Sequence, residues 1–241
     1  MSPISRTELL ITVIARLLEG VRHVAVGASS PIPGAAAFLA QARSHGAMRV
    51  TVLGSRRHND FTDGGRELFD CAAQGRIDAF FLSGGQIDGQ GNVNLIGLGD
   101  YSNLDVRFPG SFGSAYLYFL VPRVILFREE HTPRVLVPKV DFISAPGISA
   151  PEIYRPGGPH ALVTGRALFG FDKVLGRFRL DSTHPGETAE SIRAATGFAF
   201  ELADAIGETS APDDSTRALI RGPVREAIAE VYPRFAAGLG H

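Results

Sequence analysis

A single cysteine, Cys71, stands in the 241 residues. One thiol can form neither an internal disulfide nor a CxxC knuckle, so the disulfide-scaffold and zinc-finger classes are excluded together. Charge of one sign is also lacking. The chain has 24 Lys and Arg against 25 Asp and Glu, a net charge of −1, with no run of like charges. That balance gives no generic grip on nucleic acid or an anionic membrane, and neither is expected as a partner. Long apolar runs are missing too. Leu9 to Leu18 is interrupted by Arg16 and flanked by Glu8 and Glu19, which is too short and too charged for a membrane span or a signal peptide. The GxxxxGK[ST] phosphate loop, the GxSxG nucleophile elbow and the HExxH zinc helix are absent. A cytoplasmic protein with no metal site is the expectation.

What is present is core material: 44% of residues are hydrophobic and 20% charged, the balance of a globular chain rather than a disordered one. The length is within reach of one large α/β unit. No repeat and no low-complexity linker interrupts it, so residues 1–241 read as a single domain. Ser5 and Glu8 have capping-box spacing, Leu9, Val13 and Leu17 recur every four residues, and Gly20 closes an N-terminal helix. An alternation follows: strand His23–Val26, helix Ala35–Ser44, strand Arg49–Leu53, helix Arg66–Gln74 and strand Ile77–Leu82. Such a βαβαβ order predicts an α/β fold with a mostly parallel sheet flanked by helices and sites at the carboxyl ends of the strands. The loops Gly27–Gly34, Gly54–Gly65 and Ser83–Asn94 therefore matter most. The second half is β-rich, with Arg123–Phe127, Val140–Ser144 and Ala161–Thr164 as strands and Ala167–Phe171 with Val174–Leu180 as a hairpin. Helices return at Glu187–Thr196 and Arg217–Ala237, the latter started by Pro212-Asp213-Asp214.

Most reactive side chains have an ordinary reading. Cys71 sits at helical spacing among apolar residues and reads as a packed thiol. His58, His131 and His184 lie in turn-like polar segments without a second ligand and read as solvated. Glycine is more informative. Gly84-Gly85-Gln86-Ile87-Asp88 to Gly91-Asn92-Val93-Asn94 follows an apolar strand, where backbone can approach a ligand that a Cβ would exclude. Gly110-Ser111-Phe112-Gly113 is a second such loop, able to present amides to an anion or a developing oxyanion.

These segments, in order, resemble a known family. Gly85-Gln86-Ile87-Asp88, Gly91-Asn92-Val93-Asn94, Gly99-Asp100-Tyr101 and Arg107-Phe108-Pro109-Gly110-Ser111-Phe112-Gly113 look like the β subunit of glutaconate CoA-transferase and its class I CoA-transferase relatives. Val26-Gly27 with Pro31 and Gly34 resembles the family's first strand and loop. Lys139-Val140-Asp141 to Ser144-Ala145-Pro146-Gly147, Leu162-Val163-Thr164, Phe169-Gly170-Phe171 and His184-Pro185-Gly186 extend the likeness over nearly the whole chain.

The resemblance implies an acyl-CoA enzyme built with a homologous α subunit as heterodimer or heterotetramer, with coenzyme A entering as part of the substrate and no tightly bound cofactor. It also implies a glutamate nucleophile at the end of the strand before the first long loop. Here that place falls within Leu53-Gly54-Ser55, which holds no carboxylate. A covalent glutamyl intermediate needs a positioned carboxylate. The expected reaction is therefore hydrolysis, ring opening or decarboxylation of an acyl-CoA, as in family members lacking the glutamate. Ser55 is the expected polar replacement, Gly110, Ser111 and Gly113 the expected amide loop, and Gly84, Gly85, Gln86, Asn92 and Asn94 the expected pocket wall. One rival is a true transferase whose nucleophile has moved to Asp60 or Asp63. The other is a ligand-binding regulator, for which the roughly 22 residues before the first strand are too few to form a helix-turn-helix.

Overall fold

In the computed structural model, residues 5–240 are described. They form two compact units, one of residues 5–81 and 210–240, the other of residues 82–209.

The first unit centres on three parallel strands in the order β2-β1-β3: β1 (His23–Val26), β2 (Arg49–Val52) and β3 (Ala79–Leu82). Every residue of β1 and β3 is buried, as expected for parallel strands covered on both faces. Helix α1 (Arg6–Leu17) begins where Ser5 accepts a hydrogen bond from the Glu8 amide, and it buries a continuous run from Glu8 to Ala15. The buried Glu8 is held by Arg221 at 2.6 Å. Helix α2 (Pro31–Arg43) starts four residues before the expected Ala35. Proline at the first turn loses no hydrogen bond and has its φ preset, so it opens the helix and shortens the preceding loop. Helix α3 (Gly64–Ala73) buries Cys71, as its spacing implied.

The second unit contains two small hairpins, β4 (Gln86–Ile87) with β5 (Val93–Asn94) and β6 (Gly97–Asp100) with β7 (Asn103–Arg107). Helix α4 (Ser114–Leu120) follows. Strand β8 (Arg123–Arg128) pairs in parallel with β9 (Pro159–Thr164), and β9, β10 (Ala167–Asp172) and β11 (Arg177–Thr183) are antiparallel neighbours. Helix α5 (Ala189–Ala195), with a Thr188–Ser191 capping box, leads into β12 (Glu201–Glu208), which lies parallel to β11. Phe169, Phe171, Phe178, Phe198 and Phe200 pack edge-on or tilted at centroid distances of 5.0–6.5 Å. A mostly parallel α/β fold with a β-rich second half is the observed class.

Three expectations are corrected. Val140–Ser144 is not a strand: isolated bridges lie on either side of it, Ile87 to Leu136 and Val93 to Ala145, and the Ser144 amide donates to Val93 O at 3.0 Å. His131 and His184 are buried at 4% and 3% exposure, not solvated, because threonines supply their polar partners. His58 is half-buried against Phe38, with ring centroids 4.7 Å apart.

The long C-terminal helix is broken, in the first unit, into α6 (Asp214–Leu219), a wide turn at Ile220–Val224, α7 (Arg225–Ala229) and α8 (Pro233–Ala237). Gly222 leaves helical geometry at φ −104°, ψ −106° immediately before Pro223, whose missing N–H and ring cannot continue the ladder. Pro233 in turn holds Tyr232 at a non-helical φ −128°, ψ 66°.

Candidate active site

In open α/β sheets, ligands bind beyond the carboxyl ends of the strands. At the end of β2 the Leu53 amide donates to Val26 O at 2.9 Å, and the Val52 amide donates to His58 O at 2.7 Å, folding Leu53 to His58 into a tight loop. Ser55 lies inside it, 5% exposed. Its Oγ accepts from the Arg57 amide at 3.1 Å and the His58 amide at 2.8 Å, and donates its proton to Glu230 Oε2 at 2.6 Å. One donor and two acceptor positions are all a serine hydroxyl has. Ser55 is saturated and holds a carboxylate in place.

That carboxylate arrives from the far end of the sequence. Glu230 follows α7 directly, and its Oε1 accepts from the Arg56 amide at 3.0 Å. Two residues on, the Tyr232 hydroxyl accepts from the Ser30 amide at 3.1 Å, in the loop after β1, where Ser29 is left-handed at φ 58°. The segment Glu230–Tyr232 thus reaches the carboxyl ends of two adjacent parallel strands. Gly34 permits the approach of α7: a Cβ there would stand 2.8 Å from Ile228 Cδ1. The Ser55 hydroxyl, then the Arg56 amide, and then the positive charges of His58 and Arg57 hold the Glu230 carboxyl below its ordinary range. Sequence reasoning missed Glu230 because no local spacing marks a contact between residues 175 positions apart.

The two alternative carboxylates are occupied elsewhere. Asp60 is ion-paired at 2.8 Å with Arg49, the first residue of β2, and so lies toward the amino end of that strand. Asp63 pairs with Arg66 one turn along the surface.

In the second unit, the glycine-rich segment is built from the inside. A Cβ on Gly85 would fall within the ring of Phe108. Asn94 is wholly buried; its amide donates to Gln86 Oε1 and Gly97 O, both at 2.8 Å. Gln86 in turn donates to Asp141 at 3.2 Å, and Asp141 accepts from the Gly99 amide at 3.0 Å. Asn92 donates to Asp88 at 3.1 Å and accepts from the Gly147 amide at 3.0 Å. Gln86 and Asn94 therefore fix the loop's shape through bonds of their own. Asp88 and Asn92 additionally line a cleft of about 560 Å³ with Lys139, Arg177 and Phe198.

The loop after β7 is open. Gly110 is left-handed at φ 102°, with its amide already donated to Leu95 O at 3.1 Å. The Ser114 amide is taken by Ser111 O at 2.8 Å. Phe112, between them, is 82% exposed at φ 43°. Gly113 has φ −91°, a value any residue adopts. Among the described residues no three His, Cys, Asp or Glu side chains converge to hold a metal ion, and no helix is long and apolar enough to cross a membrane.

Residues 8–195 match the family model for Coenzyme A transferase, and the chain belongs to that family. It is similar to one of the subunits of the glutaconate CoA-transferase of Acidaminococcus fermentans, 33% identical over 148 residues, 58% of this chain and 54% of that one. It is also similar to the cholesterol ring-cleaving hydrolase IpdB subunit of Rhodococcus jostii, 34% identical over 161 residues, 65% of this chain and 62% of that one. The matched segments span 54–62% of the lengths of these curated relatives. Among solved structures, Rhodococcus jostii IpdAB superposes with a TM-score of 0.80 at 27% identity, covering 92% of this chain and 94% of that one. The decarboxylase AibA/AibB superposes with a TM-score of 0.79 at 25% identity, covering 98% and 99%. Glu230 lies beyond the residues matched by the family model.

Proposed function

We propose that this chain is the β subunit of a two-chain enzyme that hydrolyses an acyl-CoA, water adding to a carbonyl of the acyl group, with no CoA transferred through a glutamyl intermediate. The observation that carries this reading is the content of the β2 loop. Where the family's transferases need a free carboxylate on the strand end, this chain has Ser55, buried and with all its hydrogen-bonding positions used. Both lone pairs of Ser55 Oγ are taken by the Arg57 and His58 amides, and attack requires a free lone pair, so this hydroxyl is a poor nucleophile as held. The similarity to a ring-cleaving hydrolase subunit supports the same reading. The exposed Arg56 and Arg57 offer positive charge to an anionic CoA ester. Taken by itself, the Gly110–Gly113 loop of the second unit offers the amides of Ser111 and Gly113 as proposed donors to an acyl-CoA oxygen. The partner is a homologous α subunit, and coenzyme A enters only with the substrate.

The test is to assemble the chain with its α homologue and supply a panel of acyl-CoA and β-ketoacyl-CoA esters. Hydrolysis product should accumulate, with no exchange of CoA onto added carboxylic acids and no borohydride-trapped adduct between Gly54 and Gly65. The chain alone should be inactive. Turnover by the isolated chain above about 1 s⁻¹ would remove the need for a partner, and CoA exchange would restore the transferase reading.

A further inference from the structure

Hydrolysis needs a base, and the first unit places one carboxylate where Ser55 alone has no capacity left to act. Glu230 is bound through one hydrogen bond to each oxygen, Ser55 Oγ to Oε2 and the Arg56 amide to Oε1. A carboxylate has roughly four lone-pair positions, so each oxygen keeps one to offer. Its own helix end is fixed by Tyr232 on the Ser30 amide, and Gly34 leaves room for Ile228 one turn earlier. Position, orientation and free acceptor capacity are all present in one group, half-buried and open on one side.

Resting on the hydrolytic reading above, we propose that Glu230 is the general base of the reaction, delivered to the end of β2 by the C-terminal segment and oriented there by Ser55. A water molecule gives one proton to Glu230 as its oxygen bonds either to the thioester carbonyl carbon or, in a β-ketoacyl group, to the β-keto carbon. The tetrahedral centre then expels its leaving group: the sulfur if a thioester is cut, the α-carbon if a β-ketoacyl group is cut. The proton on Glu230 passes to that leaving atom, which restores the carboxylate. No oxidant, metal or second substrate is required, and the sum is acyl-CoA plus water giving acid plus thiol, or a chain-opened acyl-CoA.

The charged groups facing Glu230 are Arg57 and His58, with the Arg56 amide and the Ser55 hydroxyl. All four favour its ionised form, so Glu230 is an unprotonated acceptor at neutral pH and a weaker base than an ordinary carboxylate. Removing the Ser55 hydroxyl shifts its titration upward.

The experiment uses the assembled α/β enzyme with acetoacetyl-CoA and a panel of cyclic β-ketoacyl-CoA esters as probes, with free thiol and opened acyl-CoA measured separately. Glu230→Gln keeps the size of the side chain and should lower kcat by about 10²–10⁴ with KM little changed, at an unchanged melting temperature. Glu230→Asp should retain part of the activity. Ser55→Ala should keep measurable turnover while moving the acidic limb of the kcat/KM profile to higher pH. If wild-type enzyme turns over and folded Glu230→Gln matches it, Glu230 is not the base and the hydrolytic reading stands without it. A trapped acyl adduct on Glu230 would make it a nucleophile and overturn the proposal. A wild-type enzyme inactive on the whole panel would overturn the hydrolytic reading and this proposal together.

Discussion

His131 and His184 stand on the two polar groups of one residue. His131 Nδ1 meets Thr164 Oγ1 at 2.8 Å, and His184 Nε2 donates to Thr164 O at 3.0 Å. The second nitrogens bond Thr196 and Thr209 at 2.9 Å each, so both rings are enclosed by threonine.

The enclosure makes the second unit sensitive to acid. Burial, reinforced by Arg166 and His184 and opposed by Glu187, lowers the His131 pKa from 6.5 to about 4. A depressed histidine stabilises the fold fully above the unfolded value and loses that contribution as pH falls from 6.5 towards 4, about 3 kcal/mol in all. Glu187, held by Arg166 and Ser191 at about 2, adds a second loss as pH falls from 4.5 towards 2. Melting temperatures measured from pH 7.5 to 3 should fall in that order. His131→Asn should flatten the curve between pH 6.5 and 4, and an unchanged curve would contradict the assignment.

Gly147→Ala should destabilise the chain by about 1–3 kcal/mol or more. The new Cβ would collide with Gln90 O and would stand 2.6 Å from Gly91 C, both backbone atoms that no rotamer change can move. It would also disturb the Gly147 amide on Asn92. Denaturant titration measures the loss.

Gly113→Val separates fold from chemistry in the amide loop. With φ at −91°, position 113 imposes no glycine requirement, so the melting temperature should stay near wild type. A branched side chain beside the Gly113 amide should block an acyl oxygen and lower kcat/KM by about 10²–10³. Unchanged kinetics in the assembled enzyme would remove the loop from the reaction.

Asp60→Asn and Asp63→Asn should leave turnover within about twofold, since both carboxylates are exposed and engaged with arginines. Loss of activity in either folded variant would revive the displaced-nucleophile transferase.

The fold was legible where pattern is local. The βαβαβ order, the Ser5 cap and the packed Cys71 follow from periodicity and capping chemistry. Tertiary partners were not. Threonines buried His131 and His184, whereas their sequence neighbours looked polar and exposed. The segment Val140–Ser144 has strand composition, yet single bridges to Ile87 and Val93 satisfy its surroundings instead of a ladder. For the candidate site, the sequence shows that Leu53-Gly54-Ser55 holds no carboxylate, in the place where the family resemblance implies one. The contact of Glu230 with Ser55 was not legible, since it forms only after Pro223 and Pro233 have cut the C-terminal helix into pieces.

The discontinuity of the first unit gives synthesis a direction. The ribosome completes β1, β2 and β3 long before it reaches Glu230, and the 149 residues from 82 to 230 take about 7–30 s at 5–20 residues per second. During that interval residues 82–209 are finished and free to fold, while the half-made first unit still exposes the apolar faces that α6, α7 and α8 will cover. The nascent chain exposes most unpaired apolar surface then, and the carboxylate that bonds Ser55 arrives only after the whole second unit has been made.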